Sequence, residues 1–303
     1  MVRPAPATVR TIAVLNFFAA HPGDVFTLSE LSAVLGVNMA SLLAILQGLM
    51  DAGYVVRHPR HKTYALGPSL VALGHAALAR HPAIDAARAA MRPLADELGT
   101  ELVASVVIGD EIVIVATAGV APAEARDVRV GQRIPIVPPL AAIFYAWSPP
   151  ATVEHWLALT GAGAPAERDR HLGLLAAVRE RGYSVGLETG ARAELGATLE
   201  RLADAPVDAA LRERLSAVAG DLGLDYVGMD LEPDARYHVS TVAAPVFGPG
   251  GEVAVALTAN GLGGNPTGAE VAAVAARLMA TARSVTKVAH GRVPAGTERA
   301  LVP

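Results

Sequence analysis

The segment "RHPRHK" places Arg57, Arg60, His61 and Lys62 within six residues, and Lys62 is one of only two lysines in a chain of 303 residues. Cationic side chains crowded at a loop tip hold phosphates or enter a minor groove. Upstream, "VNMASLLAILQGLMD" (Val37 to Asp51) has few groups that hydrogen-bond, namely Asn38, Ser41 and Gln47. Base edges are read by bidentate Arg, Asn or Gln contacts, each worth roughly 1–3 kcal/mol of discrimination. A helix with so few of them reads sequence weakly through hydrogen bonds. Met39 and Ala40 offer apolar contact with thymine methyls instead, and the backbone amides at the helix start suit a phosphate. The chemistry expected here is DNA binding in which electrostatics carry an unusual share.

Other chemistries fail on residue type. "GLGGNPTG", Gly261 to Gly268, looks like a cofactor loop, but pyridoxal chemistry needs a Schiff-base lysine. Lys62 and Lys287 are the whole supply, and no Lys-Ser/Thr follows the glycines as a phosphate loop requires. The stretch is expected to be a strand-to-helix loop. With no Cys there is no disulfide, thiolate nucleophile or Cys-based zinc site. His58 and His61 share one loop, while His155, His171 and His238 are scattered without close partners, so no metal site is expected. Asp110 and Glu111 fall at a turn and are expected to be solvated. No catalytic residue and no cofactor is assigned.

Composition fits a folded chain with a large core: 52% hydrophobic, 18% charged and only 4% aromatic residues. Charge is unevenly spread. Residues 1–82 hold six Arg/Lys against three Asp/Glu, and the remainder holds 19 against 26. A basic head on an acidic body suggests a polyanion-binding module joined to something else. The first residues resemble an export signal, but Arg10 and Asn16 interrupt the apolar run and an amphipathic helix is expected. No segment has the ~18 apolar residues of a membrane span, and a cytoplasmic location is expected.

Elements that position these groups can be traced in order. A first helix over 8–20 carries Val9, Ile12, Leu15 and Phe18 at helical spacing and stops at His21-Pro22-Gly23. Thr27 and Glu30 form a capping box for a second helix with a stripe of Leu28, Leu31, Val34 and Leu35. Gly36 supplies a tight turn, and Asn38 caps a third helix whose Leu42, Leu43, Ile45, Leu46 and Leu49 are expected to face the core. "DAGYVVRHPRHKTYALG" then makes two strands around the basic tip. Three helices and a ribbon constitute a winged helix-turn-helix. Beyond it, helices are expected at 67–82, 83–99, 138–147, 151–159, 167–181 and 267–288. Strands are expected in a hairpin around Gly109-Asp110 and at 127–130, 183–187, 237–247 and 251–260. This mixture lacks a βαβ rhythm, so the body is expected to be α+β with a largely antiparallel sheet.

The segment "RTIAVLNFFAAHPGDVFTLSELSAVLGVNMASLLAILQGLMDAGYVVRHPRHKTYALGPSLVALG" resembles the N-terminal domain of IclR-type bacterial transcriptional regulators. "GDEIVIVATAG", "VGQRIPI", "VRERGYSV" and "HVSTVAAPVFGPGGEVAVALTANG" are similar, in order, to segments of that family's effector-binding domain. The resemblance implies a winged helix-turn-helix at 1–67, a linker helix at 68–82 that helps pair the heads, an effector-binding domain at 83–290 and a disordered tail at 291–303. It implies a homodimer or homotetramer on a palindromic operator, usually as a repressor, answering to a small carboxylate-bearing effector. The DNA contacts would be Thr27, Asn38, Met39, Ala40, Ser41, Gln47, Arg57, Arg60, His61 and Lys62. The effector's carboxylate would meet the amides of Leu140 and Ala141 at a helix start opened by Pro138 and Pro139. Thr241, Thr258 and Asn260 would orient the rest of the ligand. Three departures stand out. Met39, Ala40 and Ala44 replace polar or basic residues of the family's reading helix. About 48 residues, 189–236, stand where a short loop is common, and contain two helix-like segments. Leu140, with Ile136, Phe144 and Tyr145 nearby, points to an aromatic or branched acid. The alternative is a metabolite-binding protein whose DNA-binding head has decayed.

Overall fold

The computed structural model describes residues 5–121, 128–159, 165–205, 208–221 and 231–295. The head is built from α1 (Pro6–Ala20), β1 (Phe26–Thr27), α2 (Leu28–Leu35), α3 (Met39–Asp51), β2 (Val55–Arg57) and β3 (Thr63–Leu66). Local chemistry fixes its joints. The Thr27 amide donates to Glu30 Oε2 (2.7 Å) and the Glu30 amide to Thr27 Oγ1 (3.3 Å), closing the capping box. These Thr27 donors hold the Glu30 carboxyl below the usual carboxylate range. Gly36 takes φ 62°, where a side chain would be strained, and α2 and α3 turn through 113° across it. The Asn38 side chain then accepts from the Ser41 amide (2.9 Å).

Packing buries most of the stripes that the spacing suggested, with three exceptions: Val9, Ile12 and Leu43. Val14, Phe17 and Phe18 bury against Leu31, Leu42, Leu46 and Tyr64, whereas Val9 and Ile12 are exposed. Leu43 is also exposed, at 46% of its surface, because the side of α3 that meets this small core carries Leu42, Leu46 and Leu49, with Ile45 and Met50 partly buried at its edge. A third strand, the two-residue β1, joins the ribbon in the order β1-β3-β2. Its brevity left no period to read in the sequence.

Helix α4 (Ser69–Arg80) leaves the head with no buried residue, and Val71 and Leu73 stand open to solvent. Helix α5 (Pro82–Leu98) then packs Ala87, Met91, Leu94 and Ala95 onto the body. The body is centred on a six-stranded antiparallel sheet in the order β6-β5-β4-β9-β8-β7. Its strands are β4 (Glu101–Ile108), β5 (Glu111–Ala118), β6 (Arg133–Pro135), β7 (Ser184–Leu187), β8 (Val239–Phe247) and β9 (Val253–Leu262). One face is covered by α5 and α11 (Gly268–Val288). The opposite face carries α6 (Ala142–Tyr145), α7 (Pro150–Ala158) and α8 (Pro165–Arg181). Helices α9 (Gly190–Asp204) and α10 (Ala209–Asp221) pair there through Leu195, Leu202, Leu211 and Leu215.

Alternation along the strands separates these faces. Leu102 and Ala104 of β4, with Leu257 and Ala259 of β9, join the α5–α11 core, while Val103, Ser105, Thr258 and Asn260 point the other way.

Several expectations are corrected. Residues 128–130 are not a strand, and residue 127 lies outside those described; the edge strand is 133–135, held by the Arg133–Glu111 ion pair (2.7 Å). Asp110 and Glu111 are therefore partnered rather than merely solvated, Asp110 by His155 at 2.7 Å. The helix expected over 138–147 shrinks to four residues. The start of the tail is tied down: the Arg292 amide donates to the Gly248 carbonyl (2.9 Å) and Val293 packs on the core, while 296–303 lie outside the described residues. Gly264 and Asn265 form the loop after β9, and Thr267 with Glu270 makes a second capping box there.

Candidate functional site

Two surfaces collect the residues singled out above. On the head, the open side of α3 presents Met39, at 57% exposure, beside Ala40, Leu43 and Ala44. Gln47 is also exposed, but its amide donates to Asp51 Oδ1 (2.8 Å). Asn38 Oδ1 and Thr27 Oγ1 both serve as acceptors in helix caps. The tip of the β2–β3 ribbon exposes Arg57, Arg60, His61 and Lys62. Arg57 lies over the Tyr64 ring at 5.7 Å, and the His58 and His61 rings of this loop meet at 4.6 Å, tilted by 36°. The head thus offers a cationic ribbon tip beside a helix whose outer face is mostly apolar.

In the body, a cavity of about 200 Å³ opens between the sheet and α9. Its floor is Val103, Ser105, Ala256, Thr258 and Asn260, its side Ile134, Leu140, Ala141 and Phe144, and its roof Leu195, Gly196 and Leu199. Thr241, Thr258, Asn260, Leu140 and Ala141 are therefore brought together. Two of their expected roles change. The Leu140 amide already donates to the Val137 carbonyl (2.9 Å), the Pro138–Pro139 bond is cis, and α6 begins only at Ala142. No extended helix start aims its amides at a ligand here. Asn260 donates from Nδ2 to the buried Glu101 carboxylate (2.7 Å), which braces β9 against β4.

The group missed from the sequence is Arg192. Its backbone amide donates to the Thr189 cap (3.2 Å), and its guanidinium donates from Nε to Ser240 Oγ (2.8 Å) and from Nη2 to Thr241 Oγ1 (3.1 Å). The β7–β8 register shifts between Gly186 and Leu187, leaving Ser240 as an extra residue, so two consecutive hydroxyls reach one guanidinium. A signal was available. Arg192, Leu195, Leu199 and Leu202 recur at helical spacing, which puts the cation on the buried stripe of α9.

Helix α9 also touches the head. His21, at 5% exposure on the end of α1, places Nδ1 2.8 Å from the Phe17 carbonyl oxygen and Nε2 3.3 Å from Asp204 Oδ1 at the end of α9. Beside it, a Cβ at Gly131 would lie 2.6 Å from the Ala19 carbonyl oxygen. The loop that supplies Val128 and Gln132 to the cavity therefore presses on α1 as well.

Behind the cavity, His171 is buried against the Trp156 ring at 5.7 Å, and that burial lowers its pKa. The unfolded chain then binds a proton more readily than the folded one, so this residue's stabilising effect is full above the ordinary histidine range and is lost as pH falls through it. Melting temperature should drop between pH 7.5 and 5 more steeply in the wild type than in His171→Gln. Equal slopes would rule His171 out as a source. Among the described residues, no three His, Asp or Glu side chains are grouped to hold a metal ion. No single helix among them is long and apolar enough to cross a membrane.

Residues 7–59 match the family model of the IclR helix-turn-helix domain. They are an IclR-type helix-turn-helix domain. No curated protein matches the chain in sequence. Among solved structures, the chain is similar to an IclR transcriptional regulator from Alicyclobacillus acidocaldarius, at 21% identity over 95% of this chain and 100% of that one, with a TM-score of 0.65. It is similar to HmgR of Pseudomonas aeruginosa at 20% identity, covering 93% and 98% with a TM-score of 0.58. It is also similar to an IclR homologue from Microbacterium hydrocarbonoxydans, solved with 4-hydroxybenzoate, at 17% identity, covering 93% and 98% with a TM-score of 0.57. The chain as a whole thus has the α+β fold of IclR-type regulators, with the IclR-type head at its N-terminus.

Proposed function

We propose that this chain is a transcriptional regulator that binds an operator through its IclR-type head and alters that binding when a small organic effector occupies the body cavity. The observation that carries the reading is the double attachment of α9. The helix roofs the cavity with Leu195 and Leu199 and meets the head at His21 with Asp204. An effector shifts operator occupancy only through a difference in its affinity for two arrangements of the head, and α9 is an element that an occupied cavity would bias. The unburied apolar residues of α4 support pairing of two heads, on half-sites about 34–36 Å apart or a multiple of that. Base reading falls to Met39, Ala40, Leu43 and Ala44, which suit thymine methyls, with Asn38 and Ser41 at the helix tip and the ribbon on phosphates.

The test is selection of bound fragments from the source genome by the purified full chain. A palindrome preferred over random DNA by about 10³-fold or more is the expected result. Replacing thymine by uracil in its half-sites, which deletes only the methyl, should weaken binding. Equal retention of all fragments, abolished by modest salt, would overturn the regulator reading in favour of a metabolite-binding protein with a decayed head.

A further inference from the structure

We infer that His21 and Asp204 form a proton-operated latch between head and body, closed when the imidazole is charged and open when it is neutral. The inference rests on the regulator reading above for its consequence, because this contact joins α9 to the head. Geometry fixes the proton count. The Phe17 carbonyl lies in the last turn of α1, and the His21 amide passes it by to donate to the Phe18 carbonyl (3.1 Å). His21 Nδ1 stands 2.8 Å from the Phe17 oxygen, and a carbonyl only accepts, so Nδ1 carries a hydrogen. Nε2 stands 3.3 Å from Asp204 Oδ1, and an ionised carboxylate likewise only accepts. Making both bonds takes both ring hydrogens, which is the imidazolium. A neutral ring that keeps the Phe17 bond turns a bare lone pair toward the carboxylate, and the two repel.

The surroundings suit a cation. The ring caps the negative end of α1, between the Phe17 and Phe26 rings at 4.3 and 5.6 Å. On α1 itself the other charged residue is Arg10, about three turns away. Asp24 follows α1, Glu200 and Arg201 precede Asp204 on α9, and Asp208 precedes α10. Arg129 and Arg133 flank the Gly131 that meets Ala19, and Arg133 is paired with Glu111. Among the described residues, Asp204 is the acid within ion-pair reach of the ring. The His21 side chain is buried whereas that of Asp204 is 75% exposed, so the acid can leave the contact for water. Histidine changes charge between about pH 5 and 8, and proton binding and closure favour each other by linkage. Acid holds the head against α9, and alkali frees it.

The experiment follows amide hydrogen exchange of the full chain at pH 6 and 8.5, corrected for the intrinsic pH dependence of exchange, in wild type, Asp204→Asn and His21→Gln. In wild type, protection of 17–24 and 200–205 should fall by about threefold or more on raising the pH, the size of a partly exposed ion pair. Asp204→Asn both donates and accepts, so its contact is blind to the proton and its profile should be flat. His21→Gln cannot take up a proton and should be flat as well. Should it fail to fold, the comparison with Asp204→Asn still decides. DNA affinity is measured at the same two pH values. The ratio of wild type to Asp204→Asn should change about threefold between them, while any share of His58 and His61 is common to both proteins and cancels. Three outcomes would overturn the latch: a flat wild-type profile, an equal fall in Asp204→Asn, or an affinity ratio independent of pH. A wild type that binds DNA but exchanges alike at both pH values sinks the latch alone. A chain whose exchange responds as expected but which binds no DNA sinks the regulator reading alone.

Discussion

Replacing Arg57, Arg60 and Lys62 together by Gln should cut DNA affinity by roughly 10²–10³-fold near 0.1 M salt. Each phosphate contact contributes about 0.9 to the slope of log affinity against log salt, so losing three lowers the slope by about 2.7. All three side chains are exposed at the ribbon tip, where charge is free to act on a polyanion. The loss is proportionally large because the outer face of α3 bears no Arg or Lys to share the load. Arg57 also covers the Tyr64 ring, a contact worth about 0.5–1 kcal/mol at an exposed site. A melt of the variant separates that small stability change from the binding loss. Anisotropy titrations at several salt concentrations give the slope directly. An unchanged slope would remove the ribbon from the phosphates and leave α3 and the helix ends to explain any DNA binding.

The largest stability effect is expected at Trp156. It is fully buried on α7, stacks on Tyr145 at 5.4 Å, and its indole N–H donates to the Leu140 carbonyl (2.9 Å). Trp156→Ala should cost about 3–5 kcal/mol for the cavity it opens. The Leu140 carbonyl left without that donor adds about 1–3 kcal/mol. The body's melting transition should fall by about 10 °C or more, at about 2–4 °C per kcal/mol for a domain of this size. Trp156→Phe keeps most of the packing and loses the hydrogen bond, so it isolates that term of about 1–3 kcal/mol. Because Leu140 walls the cavity, both variants should also weaken ligand binding. Calorimetry suits the measurement, since head and body need not unfold in one step. Equal losses from Ala and Phe would mean that the hydrogen bond, and not the filled volume, dominates.

The two sites differ in how they are encoded. The ribbon cluster is contiguous in sequence and the helix caps span three or four residues, so the head's outline follows from short-range rules. The cavity draws on α6, α9 and all six strands of the sheet, and its cation stands 48 residues before the hydroxyl that orients it most closely. Nothing local to "TGARAELG" announces that a β-bulge will set Ser240 and Thr241 against its arginine. The Leu140 amide shows the reverse case. Two prolines before a helix imply free amides beyond them, yet the chain spends the first on a local turn to Val137.

By itself the sequence determined the winged helix-turn-helix, the antiparallel α+β character of the body, the hairpin at Gly109-Asp110 and the two helices after residue 189. Each of these rests on periodicity, capping or turn chemistry within one element, where backbone sterics and nearest-neighbour hydrogen bonds decide the outcome. Tertiary structure alone decided which apolar residues went inside. Leu43, Val9 and Ile12 lie on faces as apolar as those chosen, and a head this small has room to bury only one side of each helix. It also decided that α9 would roof the cavity and end on the head, because the position of a helix follows from which surfaces it excludes from water, and those surfaces come from strands far away in the chain.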